Sequence, residues 1–258
     1  MAPFSRHLRN ARGLLLCCCL IGVTGCASKG ATSTGDVSDP FEPINRGIFK
    51  FNDVADKYVM RPVAVGYQWL LPGLVRTGIN NFFDNISYPV DIVNALLQGK
   101  FEEGLSGFAR LGINTTLGIA GFLDPATQAG LARTNEDFGQ TLGVWGVPQG
   151  PYLVVPIFGP RTFRSGAGDL VDIQYNPQFN VGSSSIRTKV NIVWLIHRRS
   201  TLLGVDQEIN RAFDRYAFLR DSYIQNRRFL LYDGDPPEEE FFIDDEFDDE
   251  FDDEFEDF

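Results

Sequence analysis

Nucleophilic, redox and metal chemistry depend on a few side-chain types, and this sequence places them poorly for all three. The four cysteines, Cys17, Cys18, Cys19 and Cys26, lie at or before position 26. Beyond that point no disulfide or cysteine-ligated metal site can form within one chain. Only one of the two histidines, His197, follows position 26, and it sits in an apolar helical run beside Arg198 and Arg199, where a structural role is expected. A serine hydrolase needs a nucleophile on a Gly-x-Ser-x-Gly elbow with a base in reach. No elbow is present, and Ser183-Ser184-Ser185 has linker character. The chain also lacks His-x-x-x-His, the phosphate loop Gly-x-x-x-x-Gly-Lys and the dinucleotide motif Gly-x-Gly-x-x-Gly. Gly166-Ala167-Gly168-Asp169 falls short of the last, and Asp233-Gly234-Asp235 lacks the rest of a calcium loop. The expectation is a protein without catalytic residues, metal or cofactor.

One thiol does have chemistry in prospect. Arg6, Arg9 and Arg12 form a positive segment before the apolar stretch Leu14 to Val23, the pattern of a cleaved signal peptide over residues 1–25. That stretch has 10 residues, against about 20 needed to span a bilayer. Val23-Thr24-Gly25-Cys26 then resembles a bacterial lipobox, in which the cysteine receives diacylglycerol before cleavage. Cys26 is therefore expected to be the mature N-terminus, carrying covalent diacylglycerol and acyl chains. Each buried CH₂ contributes about 0.8 kcal/mol, and two or more chains make stable anchorage. Ala27 rather than Asp after the cysteine favours sorting to the outer membrane. The expected location is its periplasmic face.

The formal net charge of -11 is concentrated at one end, because Asp233 to Phe258 hold 16 acidic and no basic residues. Residues 26–232 carry 20 basic and 18 acidic residues, close to neutrality. The tail 233–258, with its repeated Glu-Phe-Asp-Asp, reads as a disordered acidic segment. Residues 26–38 read as a flexible lipidated tether, and 39–232 as one folded domain. Without a strong basic stripe, no nucleic-acid partner is expected.

Across that domain the elements are mostly helical. Phe41, Ile44, Ile48, Phe51, Ala55 and Tyr58 make one apolar stripe, with Asp39 as its cap and Arg61-Pro62 as its end. Shorter helices are expected at Val63 to Leu71, Val75 to Phe83 and Pro89 or Val90 to Leu97, interrupted over Asn85 to Pro89. In the next helix Phe101, Leu105, Phe108 and Leu111 line one side, and Gly104, Gly107 and Gly112 allow close approach of a neighbour. Leu117 to Leu123 is an uncharged apolar segment, either a buried turn or a hairpin dipping into a bilayer edge. Its Leu117, Ile119, Phe122 and Leu123 are the candidate membrane contacts. Glu136 to Val144 and about Ser185 to His197 read as helices. Pro148 to Pro160 reads as an extended, proline-stiffened connector, and Leu202 to Tyr223 as the strongest single helix.

Trp69, Trp145, Trp194, Tyr67 and Tyr152 suit a membrane interface. No segment past Cys26 offers about 18 unbroken apolar residues, so the body must lie in or on one leaflet, or hang below it.

Several ordered blocks carry a family resemblance. Asp39-Pro40-Phe41-Glu42 with Asn45-Arg46, Phe51-Asn52, Arg61-Pro62-Val63-Ala64, Gly112 to Gly121, Phe138 to Gly143 and Gly150-Pro151-Tyr152 through Pro156 resemble the MlaA, or VacJ, outer-membrane lipoproteins. The blocks are dense from Asp39 to Asp172; beyond that the likeness rests on helical character, and the acidic Phe-Asp-Asp tail departs from the family pattern. The resemblance implies a mainly α, multi-helix ring lying in or on one membrane leaflet. It implies association with a trimeric porin and a central amphipathic channel. Through that channel mislocalised phospholipid leaves the outer leaflet for a soluble MlaC-like carrier, returning to the inner membrane through an ATP-driven complex. A headgroup needs a polar lining, for which Asn45, Arg46, Asn52, Asn80 and Asn81 are the candidates. The competing expectations are a periplasmic lipid hydrolase, for which no nucleophile and base can be assembled, and a porin-associated structural lipoprotein without transport activity.

Overall fold

Helical periodicity begins where the sequence places it. The computed structural model describes residues 39–180 and 182–237. Cys26, the tether and the tail beyond 237 lie outside them. Helix α1 (Glu42–Ala55) carries Pro43 in its first turn, but Asp39 is not its cap. The Asp39 carboxylate instead accepts from the Asn45 amide at 2.8 Å and from the Tyr216 hydroxyl. Nor does Arg61-Pro62 end the helical path. A five-residue π-helical turn (Asp56–Met60) leads straight into α2 (Arg61–Leu70), with the Arg61 amide bonded to the Asp56 carbonyl. Proline has no amide hydrogen for an ordinary helical bond, and the wider turn accommodates it.

The expected break over Asn85 to Pro89 is absent, for α3 runs unbroken from Gly73 to Leu97 with Pro89 inside it. Helix α4 (Phe101–Thr116) packs along it, and this tertiary contact outweighs one missing backbone bond. Added Cβ atoms would lie 2.5 Å from Leu96 at Gly104 and 2.8 Å from Ile92 at Gly107, so both glycines allow the close approach. Gly112 faces open space and has no such role.

Short helices α5 (Pro125–Gln128) and α6 (Phe138–Val144) follow, then the connector. It is more regular than expected. Strands β1 (Tyr152–Val155) and β2 (Gly159–Thr162) form an antiparallel hairpin with Tyr152 opposite Thr162. Helices α7 (Phe163–Tyr175), α8 (Pro177–Asn180) and α9 (Ser184–Thr201) come next. The single last helix is in fact a 3₁₀ segment (Leu202–Val205), α10 (Asp206–Arg211) and α11 (Arg215–Leu231). The break falls where Asp214 caps α11 through the Tyr216 and Ala217 amides and also pairs with Arg46.

Packing contacts close a circuit. Helix α1 joins the π turn, then α2, α9, α8, α7, β2 and β1, and β1 returns to α1. The buried apolar cluster beneath the hairpin is small, Tyr152, Val154 and Tyr216, with Ile48, Phe49, Tyr223 and Ile224 against it. Tyr152 is thus core rather than an interface residue. Among the described residues, no helix is long and apolar enough to cross a membrane.

Candidate functional site

Polarity in this fold is turned inside out. Phe41, Ile44, Phe51 and Tyr58, from the apolar stripe of α1, are exposed, as are Phe101, Leu105 and Phe108 of α4 and Trp69 of α2. Buried positions hold Asn45, Asp91, Asn94, Arg110, Asn114, Glu136, Gln140, Arg164 and Arg227. Large apolar side chains gain about 1.5–3 kcal/mol each on leaving water. So many facing outward together require an apolar medium or partner.

Where those faces end, a polar cavity of about 280 Å³ opens between α3 and the segment α4 to α5. Asn80, Asn81, Asp84, Asn85 and Tyr88 line one side at helical spacing; Arg110, Asn114, Asp124, Thr127 and Arg133 line the other. The second wall is internally satisfied. Arg110 donates to Asp124 at 2.6 Å, to Thr127 at 2.8 Å and to the Leu131 carbonyl at 2.7 Å. Asn114 donates to Asp124 at 2.9 Å and accepts from the Ala126 amide at 3.0 Å. Burial pushes the Asp124 carboxyl up, but the bonds from Thr127, Asn114 and Arg110 outweigh it and hold the group at about 2. Across the cavity, Arg133 pairs with Asp84 and lies over the Tyr88 ring, while Asn80 donates to Asp84 at 2.8 Å.

The apolar turn joins this cavity directly. Ile119, Ala120 and Gly121 have φ of 55°, 56° and 90°, a left-handed run rare for side chains other than glycine. An added Cβ at Gly121 would lie 2.4 Å from the Asn85 side chain, so glycine is required there on both counts. Leu117, Ile119, Phe122 and Leu123 are all exposed, so the segment is an outward-facing turn rather than a buried one. Asn81 donates to the Phe122 carbonyl at 3.3 Å, and Phe82 stacks on Phe122 at 5.0 Å.

Of the five candidate headgroup residues, Asn80 and Asn81 come together at this cavity. The other three lie at the hairpin. Asn45 donates to the Tyr152 carbonyl at 3.0 Å and accepts from the Val154 amide at 2.9 Å. Asn52 makes the same kind of clasp with Val155 and Ile157 at 3.1 and 2.8 Å. Arg46 is held by Asp214 and Glu42, each at 2.7 Å, over the Tyr216 ring. Asp84, Asn85, Tyr88 and Arg133 escaped the sequence reading. For Asp84, Asn85 and Tyr88 the signal was their helical spacing from Asn80 and Asn81, hidden by the expected helix break; Arg133 reaches the cavity from another segment and had no such signal. His197 is buried between the Tyr67 hydroxyl at 3.0 Å and the Asn80 amide at 3.2 Å. Among the described residues, no group of three or more acidic, histidine or cysteine side chains is placed to hold a metal.

A helical body with outward apolar faces, a polar interior and a headgroup-sized polar cavity beside an exposed apolar turn defines a lipid-contacting membrane protein. The family described as MlaA lipoprotein matches residues 37–230, and this chain belongs to that family. The match takes in α8 to α11, beyond the densely matching blocks, and stops short of the acidic tail. The chain is similar to the intermembrane phospholipid transport system lipoprotein MlaA of Escherichia coli K12, 36% identical over 228 residues, covering 84% of this chain and 88% of that one. The lipoprotein of the same name from Haemophilus influenzae is 34% identical over 220 residues, covering 83% and 88%. A solved chain, concerned with the structural basis for maintenance of bacterial outer membrane lipid asymmetry, superposes with a TM-score of 0.68 at 37% identity. It covers 75% of this chain and 99% of that one.

Proposed function

We propose that this lipoprotein, anchored through Cys26 at the periplasmic face of the outer membrane, removes mislocalised phospholipid from the outer leaflet and passes it to a soluble periplasmic carrier. The observation that carries this reading is the inverted polarity of the closed helical circuit. Exposed Phe41, Ile44, Phe51, Phe101 and Leu105 suit acyl chains, and a polar interior suits a headgroup in transit. Such a passage lowers the barrier to moving a headgroup through hydrocarbon, where unpaired polar groups cost several kcal/mol each. It requires no covalent step. The similarity to MlaA lipoproteins of intermembrane phospholipid transport supports the same reading. A trimeric porin is the partner proposed to hold the circuit in its leaflet.

Deleting the gene and measuring phosphatidylethanolamine exposed at the cell surface tests this. Surface phospholipid should rise, and the wild-type gene should restore it while Cys26→Ala should not. An unchanged surface would sink the transport reading and leave a porin-associated brace.

A further inference from the structure

The cavity between α3 and α4 has unequal walls, and the inequality selects a ligand. On the α4–α5 side, Arg110, Asn114 and Asp124 spend their hydrogen-bonding atoms on one another and on Thr127, Ala126 and Leu131. On the α3 side, the Asn81 amide spends its nitrogen on the Phe122 carbonyl and the Asn85 amide spends its nitrogen on Thr115. Their side-chain oxygens have no partner among the described residues. Asp84 receives Asn80 and Arg133 on one oxygen and leaves the other unspent. The free capacity of this wall is therefore acceptors, one of them on a carboxylate. Arg133 supplies the opposing donor. One of its terminal nitrogens holds Asp84, the other stands 3.8 Å from Asp91, beyond hydrogen-bond reach, and the side chain is about a third exposed.

We propose that this cavity is a headgroup site selective for a primary ammonium next to a phosphate, the phosphoethanolamine group, a proposal that rests on the lipid-passage reading and names the lipid class. The ammonium has three N–H donors for the oxygens of Asp84, Asn81 and Asn85, and the phosphate meets the Arg133 guanidinium. A phosphocholine group has no N–H to give, and its quaternary ammonium is ordinarily taken by an aromatic cage. Tyr88 is the one aromatic lining residue of this cavity, and Arg133 already lies over its ring, 6.0 Å from the centroid. A phosphoglycerol group offers hydroxyls in place of the ammonium and so has no cation to set against the Asp84 carboxylate, while Arg110 and Arg133 balance Asp84 and Asp124 in the lining. The exposed turn carries the other half of the molecule. Phe122 and Leu123 stand at the rim to receive acyl chain, so headgroup and tail sites are joined through the bond from Asn81 to Phe122.

The test uses the full-length lipoprotein in detergent, stripped of lipid and offered equal amounts of phosphatidylethanolamine, phosphatidylcholine and phosphatidylglycerol with matched chains. Native mass spectrometry counts the bound species. Phosphatidylethanolamine should bind about tenfold more tightly than either rival, the order set by one charge-assisted hydrogen bond. Asp84→Asn, and separately Asn81→Leu, should bring the three toward parity while still binding lipid. Equal binding of the three by the wild type, or a preference unchanged in both variants, would overturn the headgroup site and leave the transport reading intact. Failure to bind lipid of any class would overturn both. Soluble phosphoethanolamine, added as competitor, separates the sources. Displacement of lipid only at large excess supports a lipid ligand; binding of the soluble compound with no lipid bound would assign the cavity to a small metabolite instead.

Discussion

Asp91 is a buried carboxyl group on α3, with one oxygen lacking a hydrogen-bond partner and Arg133 3.8 Å away. Burial above all, opposed by Arg133 and aided by Asp84, Asp172 and Asp137, pushes its carboxyl from 3.8 to about 8. The folded state therefore keeps a proton that the unfolded chain releases, so stability falls as pH rises from the ordinary carboxylate range to about 8. Burial also raises Asp172, to about 6, with the same sign over a lower window. Desolvation lowers His197, whose contribution has the opposite sign and is lost as pH falls below 6.5. Between pH 6.5 and 8 the Asp91 effect stands clear of both. Thermal unfolding in detergent should show a lower melting temperature at pH 8 than at pH 6.5, and Asp91→Asn should flatten that difference. A slope unchanged in the variant would assign it to another group. Asn45 tests a different kind of dependence. Its amide serves the Tyr152 carbonyl and the Val154 amide in a fully buried site, and each buried group left unpaired costs about 1–3 kcal/mol. Asn45→Ala should therefore destabilise by about 3 kcal/mol in denaturant titration, a loss that an exposed headgroup ligand would not show.

Helices α6 and α7 cross at a pair of glycines. A Cβ on Gly168 would lie 2.3 Å from the Gly139 backbone nitrogen, and one on Gly139 would lie 2.9 Å from the Ser165 Cα. Backbone cannot swing aside as a side chain can, so Gly168→Ala should cost about 1–3 kcal/mol. Two residues away in the same helix, Gly166 faces open space. Gly166→Ala should add stability, by up to about 1 kcal/mol of helix propensity. Melting curves of the two variants should move in opposite directions; equal shifts would mean that the crossing is looser than it stands here. The same segment shows what the sequence did and did not disclose. Periodicity located α1 and α4, because a helix with one apolar face is a property of local spacing. It did not disclose which medium that face meets, so the stripe from Phe41 to Tyr58 was legible while its outward direction was not. Nor did it show that Gly166-Ala167-Gly168 is a helix crossing, which depends on Gly139 in another element. Pro89 hid more. Read as a break, it separated Asn80 and Asn81 from Tyr88 and so concealed one wall of the cavity. The other wall comes from Arg110, Asp124 and Arg133, residues brought together only by tertiary folding.

At the scale of the whole molecule, the buried residues are disproportionately polar and the exposed ones disproportionately apolar, and this distribution decides how substitutions should behave. In a protein surrounded by water, an exposed leucine changed to aspartate is close to neutral for stability and irrelevant to membrane binding. Here Leu105 and Phe108 are 72% and 55% exposed on the outward face of α4, and the circuit of packing contacts from α1 through α9 and back by the hairpin does not depend on them. Leu105→Asp with Phe108→Asp should therefore leave the melting temperature in detergent within a few degrees of the parent. The lipid anchor proposed at Cys26 would mask the contribution of this face, so the comparison belongs in a Cys26→Ala background, where only the protein surface can hold a bilayer. Each charged group placed at an apolar membrane contact costs up to about 3 kcal/mol, depending on depth. Two of them should shift most of the unanchored protein from the floating to the soluble fraction in a liposome flotation assay. Retention of the double variant on liposomes would mean that α4 faces a protein partner rather than lipid. Loss of flotation together with an unchanged fold would place this face in the leaflet.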